Sequence, residues 1–307
     1  MKKRVLACLL LLTLAGCASQ SRPQPPAADT PPAERPAQSI EPILSPADYP
    51  RVDGSTANLP MMAAIRAAAT GESLEQAEAM TTCRKTPEAW MALANGEADL
   101  LLVYEASEQT KKRLDEIGNE LVITPIGRDA LVFLVNDGNP VTGLTQEQLT
   151  DIYTGAITNW SDVGGAGASI AAFQRPEASG SQSLFMKLLM RDKKPVEAPT
   201  ELRPEEMGGL VDSIAEYDNS ANALGYSVYY YVSRMYGMDG LRLLDVDGVS
   251  PSSETIASGA YPLINEYYLV TRANEPANSP AAKLRAFILS DTGRSVMEQA
   301  GYVPLQG

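Results

Sequence analysis

Short apolar runs alternate along this chain with stretches whose apolar positions recur every three or four residues. Runs at 99–103, 121–126, 130–136, 169–173, 223–228 and 267–271 read as strands buried on at least one face. Helical periodicity follows at 61–69, from Thr86 to Asn95-Gly96, at 145–153, and over Leu184, Phe185, Leu188 and Leu189. Further helices are predicted at 209–217, through Tyr229, Tyr230 and Tyr231, after Ser252, and at 280–289 and 292–300. Strands alternating with helices predict an α/β chain with largely parallel sheets.

Polar turns sit where strands give way to helices, and one of them is rich in chemistry. Arg175-Pro176-Glu177-Ala178-Ser179-Gly180-Ser181 leads from the 169–173 strand into a helix for which Ser179 is the expected N-cap. A helix start presents backbone N–H groups without intrahelical partners and the positive end of the helix dipole. Gly180 permits close approach of the backbone, Ser179 and Ser181 add hydroxyls, and Arg175 adds a planar cation suited to an oxyanion. Together these make an anion cradle. Ser55 and Thr56, ahead of a helix with Pro60 in its first turn, form a second small polar nest. Thr86 reads as the N-cap of a third helix with Pro87 at its first position. Glu105 follows the 99–103 strand, at the strand end where ligands of open α/β sheets bind.

The N-terminus is organised differently. Residues 1–16 join a basic start to an apolar run too short to span a bilayer, which predicts a secretory leader. From Ala18 to Pro50 nine prolines lie among Ser, Gln, Ala and Thr, a composition that builds no core. Such a tether, extended at ~3.1 Å per residue, reaches on the order of 100 Å.

Composition narrows the chemistry. Of 307 residues, 44% are hydrophobic, enough for a sizeable core. The formal charge is −13, and −16 once Lys2, Lys3 and Arg4 leave with the leader (−13 − 3), so nucleic acid is not an expected partner. The chain has no histidine, which excludes Ser-His-Asp and Cys-His nucleophilic chemistry and every histidine metal site. With Cys8 and Cys17 in the leader region, Cys83 is the remaining thiol. No zinc pattern is present, and the chain is not expected to be an enzyme or to need a metal or other cofactor.

Leu14-Ala15-Gly16-Cys17 resembles the bacterial lipobox, which implies cleavage before Cys17 and its lipidation. Ala18 after the cysteine favours an outer membrane by analogy with diderm lipoproteins. Six ordered motifs in the rest of the chain resemble one family: Asp53-Gly54-Ser55-Thr56, Pro125-Ile126-Gly127-Arg128-Asp129-Ala130, Ile157-Thr158-Asn159-Trp160-Ser161-Asp162, the Arg175–Ser181 loop, Asn222-Ala223-Leu224-Gly225-Tyr226 and Gly301-Tyr302-Val303-Pro304-Leu305. They are similar to the phosphate-binding proteins of Pst-type ABC importers, within the type II periplasmic-binding-protein superfamily.

The resemblance implies a two-lobed α/β fold whose lobes, joined by two crossing strands near 131–136 and 266–271, close on a ligand between them. Residues 48–133 with 268–307 would form one lobe and 134–267 the other, after a leader (1–16) and a lipidated tether (17–47). It further implies capture of inorganic phosphate or a related oxyanion, a permease partner, a lipid anchor as the only membrane contact, a periplasm-facing or cell-surface location, and a monomer. Ser55, Thr56, Thr86, Arg175, Glu177, Ser179, Gly180 and Ser181 match the family's ligand loop and donors, with Glu177 replacing the acid that orients the arginine. The family's Ala-Ser-Asp carboxylate, which accepts the proton of monohydrogen phosphate, is replaced by Val103-Tyr104-Glu105-Ala106-Ser107, which leaves Glu105 as the expected acceptor. That departure motivates the alternative of a sensory or surface-interaction lipoprotein that keeps the fold but binds another oxyanion, a phospho-ligand or a protein.

Overall fold

The computed structural model describes residues 40–177, 179–216 and 220–305. Cys17 and the lipobox lie outside them. The compact unit begins at Ile40, earlier than the sequence pattern suggests. Ile43 and Leu44 donate their N–H groups to the Ala69 carbonyl at the end of a helix, at 2.9 and 3.1 Å, and Leu44 is buried in the main core. Within the proline-rich stretch, Leu44 enters the core and Ile40 packs against it, which helps hold this segment on the fold.

The strands are β1 (Val52–Gly54), β2 (Leu100–Tyr104), β3 (Leu121–Asn136), β4 (Gly143–Leu144), β5 (Ala171–Ala172), β6 (Ala223–Val228), β7 (Leu241–Leu243), β8 (Asp245–Val246), β9 (Ile264–Arg272) and β10 (Val303–Pro304). Between them run α1 (Leu59–Thr70), α2 (Leu74–Met80), α3 (Thr86–Ala94), α4 (Glu108–Ile117), α5 (Gln146–Thr154), α6 (Gly180–Phe185), α7 (Met207–Glu216), α8 (Ser253–Ser258), α9 (Pro280–Leu289) and α10 (Asp291–Gln299). The main sheet has the order β1-β2-β9-β3-β6-β5, with β10 and β7 also pairing β3.

Pairing is less parallel than the alternation of elements predicts. β1 with β2, β5 with β6 and β4 with β8 are parallel, whereas β9 pairs β2 and β3 antiparallel and β3 pairs β6, β7 and β10 antiparallel. The long strands β3 and β9 account for the difference, because the chain goes out along one and comes back along the other. β3 is also continuous where the sequence suggests a break at Gly127-Arg128-Asp129. The interruption is only a bulge between Pro125, which has no N–H to give a ladder, and Gly127. A Cβ at Gly127 would lie 2.0 Å from the Tyr267 hydroxyl, so glycine lets the two strands stay together. Along β3, residues 121–130 pair with β9 and residues 131–135 with β6.

β2 is buried along its whole length, and its alternate side chains enter two different cores. Leu100, Leu102 and Tyr104 join the large cluster that also holds Met61, Phe133 and Tyr226. Leu101 and Val103 join a smaller one with Trp90, Leu93 and Val270. Burial on both faces explains why this strand reads as an unbroken apolar run.

β1 lies close against β2. A Cβ on Gly54 would stand 2.1 Å from the Leu102 carbonyl oxygen, a backbone atom of a central strand that cannot rotate away. Gly54→Ala is therefore expected to destabilise the protein by about 2–3 kcal/mol, as overpacking of a tight core does. Chemical denaturation checks this; an unchanged midpoint would show that β1 can move off β2.

Candidate functional site

The first wall of the site is built at the ends of β1 and β2. Ser55 follows β1 directly, and its N–H donates to the Leu102 carbonyl at 3.2 Å. Its hydroxyl accepts the Tyr104 N–H at 3.0 Å and shares a 2.7 Å hydrogen bond with the Thr86 hydroxyl. Ser55 is 2% exposed and Thr86 is also buried. Thr56 opens the short turn before α1. Thr86 is not the cap that the sequence predicts: Lys85 is the N-cap of α3, with φ +72° and no side-chain cap. Thr86 is the first helical residue, and its hydroxyl turns to Ser55 instead of to the helix backbone.

The second wall is the loop between β5 and α6. Arg175 donates its N–H to the Tyr226 hydroxyl at 3.0 Å and to the Gln182 side-chain carbonyl at 3.1 Å. The residue is 7% exposed. Nη2 donates to the Glu205 carbonyl at 2.6 Å, Nη1 lies 3.5 Å from the Ser181 hydroxyl, and Nε has no hydrogen-bond partner among the described residues. Among the described residues Arg175 makes no ion pair. Burial lowers its pKa from the ordinary arginine value, and the guanidinium nevertheless stays charged. Ser179 is the N-cap of α6, accepting from the Gln182 N–H at 3.2 Å, as its position in the sequence suggests. The two walls meet at Gly180, where a Cβ would lie 2.8 Å from the Thr86 hydroxyl.

Ser55, Thr56, Thr86, Arg175, Ser179, Gly180 and Ser181 thus border one cavity of about 340 Å³. Three polar loops far apart in sequence converge there, and the cation at its side has a donor to spare. Among the described residues no group of three or more histidine, cysteine, aspartate or glutamate side chains is placed to hold a metal ion.

Residues 32–292 match the family model of the PBP superfamily domain. The chain belongs to the PBP superfamily. A phosphate-binding protein PstS of Borreliella burgdorferi is 27% identical over 209 residues, which are 67% of this chain and 72% of that one. A second PstS, of Bacillus subtilis, is 28% identical over 172 residues, 56% of this chain and 53% of its own. In three dimensions an ABC-type phosphate transport receptor from Vibrio cholerae superposes with a TM-score of 0.60 at 25% identity, over 82% of this chain and 98% of that one. The α/β fold is that of periplasmic phosphate-binding proteins.

Two of the expected site residues stand elsewhere in this superfamily member. Glu105 and Glu177 border a neighbouring cavity of about 510 Å³ and not the one around Arg175. Glu105 accepts from Lys111 at 2.8 Å and pairs with Lys187, beyond α6, through its other oxygen. Partial burial pushes the Glu105 carboxyl up, but the two ammonium groups outweigh it and hold its pKa below the usual glutamate value. The role expected of Glu177, steadying the arginine, falls to the Glu205 carbonyl, the Ser181 hydroxyl and the anchored Arg175 backbone.

Other residues complete the site without a signal in the spacing. Lys85 reaches over the cavity mouth to Glu206 at 2.6 Å, with both side chains largely exposed (56% and 65%). This contact joins the start of α3 to the loop before α7, and the Glu105–Lys187 pair makes a second such link. Arg84, by contrast, is held away by Asp53 and Glu97 at 3.0 and 3.6 Å. Behind Tyr104 lies Asp129, whose buried carboxylate accepts from the Tyr104 hydroxyl at 2.6 Å and from the Ala130 and Tyr230 N–H groups at 2.7 and 3.1 Å. It sits where β3 exchanges β9 for β6, so it ties the first wall to the segment after β6.

Burial pushes the Asp129 carboxyl up from 3.8 to about 6, against the pull of these hydrogen bonds. A carboxyl that holds its proton more tightly when folded favours folding below about pH 4. It progressively loses that contribution as pH rises to about 6. Asp129→Asn removes the titration. The stability of this variant relative to the parent is expected to rise across that window and to level off above it. A pH-independent difference in urea denaturation would contradict the assignment.

Proposed function

We propose that this protein is an extracytoplasmic solute-binding protein that captures inorganic phosphate for an ABC importer, without changing it chemically. The observation that carries this reading is Arg175, a buried guanidinium with a free Nε beside the Ser55, Thr86 and Ser181 hydroxyls at one cavity. A charge taken out of water at this cost is stabilised by a counter-charge, and an oxyanion supplies one with acceptors for each donor. The relatives named as phosphate-binding proteins and as a phosphate transport receptor support phosphate as that oxyanion. Residues 48–133 with 268–307 would move as one lobe against 134–267, with Lys85–Glu206 and Glu105–Lys187 as ties across the closed cleft. The permease is the expected partner and the protein a monomer. Lipidation at Cys17, followed by Ala18, would hold it to the outer membrane on the proline-rich tether.

The site makes opposite demands on two charged residues. Arg175→Ala should weaken phosphate binding at least about tenfold, or about 1.4 kcal/mol. Glu105→Gln should stay within about threefold, since its carboxylate lies outside the cavity. Calorimetric titration of ligand-stripped protein reads both. Undiminished binding by the Arg175 variant would move the ligand to another place.

A further inference from the structure

Phosphate and sulfate have the same shape and differ, near neutral pH, in one proton. A site separates them when it presents a group that can only accept. An ionised carboxylate receives the P–OH of monohydrogen phosphate and repels a sulfate oxygen, which has no proton to give. Among the described residues, the buried polar side chains at this cavity include no such group. Arg175 only donates, whereas the hydroxyls of Ser55, Thr86 and Ser181 can turn to donate or accept. Ser55 already accepts the Tyr104 N–H and shares a hydrogen bond with Thr86, so part of its accepting capacity is used within the protein.

The carboxylates that do border the cavity stand at its rim. Glu88, Glu205 and Glu206 are all exposed, and Glu206 is engaged by Lys85. Water at a rim screens a carboxylate's repulsion far more than a dry interior does. Glu105 has both oxygens on lysines at the neighbouring cavity. Asp129 does not border the cavity, and its carboxylate serves Tyr104 and two backbone N–H groups.

We infer that this site selects its ligand by charge and tetrahedral shape and not by the ligand's proton, so that it binds sulfate and phosphate as one class. The inference rests on the anion-binding reading of the Arg175 cavity given above. Mobile hydroxyls and a fixed cation suit four bare oxygens as well as three oxygens and one hydroxyl.

The test is titration of the full-length, ligand-stripped protein near neutral pH with inorganic phosphate and with sulfate at matched ionic strength. Dissociation constants within about tenfold of each other are expected, with sulfate displacing phosphate in competition. Phosphate binding with sulfate weaker by about a thousandfold or more would overturn the inference and leave the proposed function standing. Silence with both anions, or binding of sulfate alone, would contradict the phosphate reading itself. Glu205→Gln and Glu206→Gln separate the rim from the interior. The ratio of the two constants should stay within about twofold of the parent value. A marked shift of either variant toward sulfate would identify a rim carboxylate as the discriminating acceptor and overturn the inference.

Discussion

The site depends on a guanidinium kept out of water. Arg175 has its backbone fixed by Tyr226 and Gln182 and its head by the Glu205 carbonyl and Ser181, yet no carboxylate pairs with it directly among the described residues, Glu205 and Glu206 acting only from a distance. Desolvating such a charge costs several kcal/mol, and neutral acceptors recover only part of that. The surrounding packing sustains this cost. The Phe185 and Tyr226 rings stack 4.5 Å apart, and Tyr226 in turn donates to Gln182, so the α6 start is braced from behind. The protein's own groups thus hold the guanidinium in place, and a preorganised donor is one that gains affinity without an ordering cost.

The opposite wall uses neutral groups. Gly54 lets β1 approach β2, which places Ser55 over the end of β2 and within reach of Thr86. Asp129 then links Tyr104 on this wall to the chain beyond β6, at the point where β3 changes partners. Hydroxyls, backbone amides and one cation meet in the cavity, while the carboxylates around it are committed to lysines or face water. The two exposed ion pairs add little energy singly. Their placement on either side of the cavity, between segments far apart in sequence, suits them to bias a closure.

Much of this was legible in the sequence wherever a local rule decides the outcome. β6 at Ala223–Val228 and α9 at Pro280–Leu289 fall where their apolar patterns place them, and Ser179 caps α6 through its own hydroxyl. Where the structure departs from those expectations the causes are mostly long-range, Glu105 being the exception. Glu105 was expected at the ligand because it follows β2, but side chains alternate along a strand. Glu105 continues the phase of Leu101 and Val103, away from Tyr104. Thr86 left its cap position for Ser55, a partner 31 residues away. Lys85 and Glu206 are 121 residues apart, so no spacing reveals their contact. β3 looked broken at Gly127 because only the structure shows Tyr267 filling the space where a side chain would be.

The measurement closest to the central claim is a crystal structure of the protein grown with phosphate. A tetrahedral ion is expected in the cavity between the two walls, with one oxygen about 3 Å from the Arg175 guanidinium and others within reach of the Ser55, Thr86 and Ser181 hydroxyls. An empty cavity at saturating phosphate, or phosphate bound away from Arg175, would contradict it.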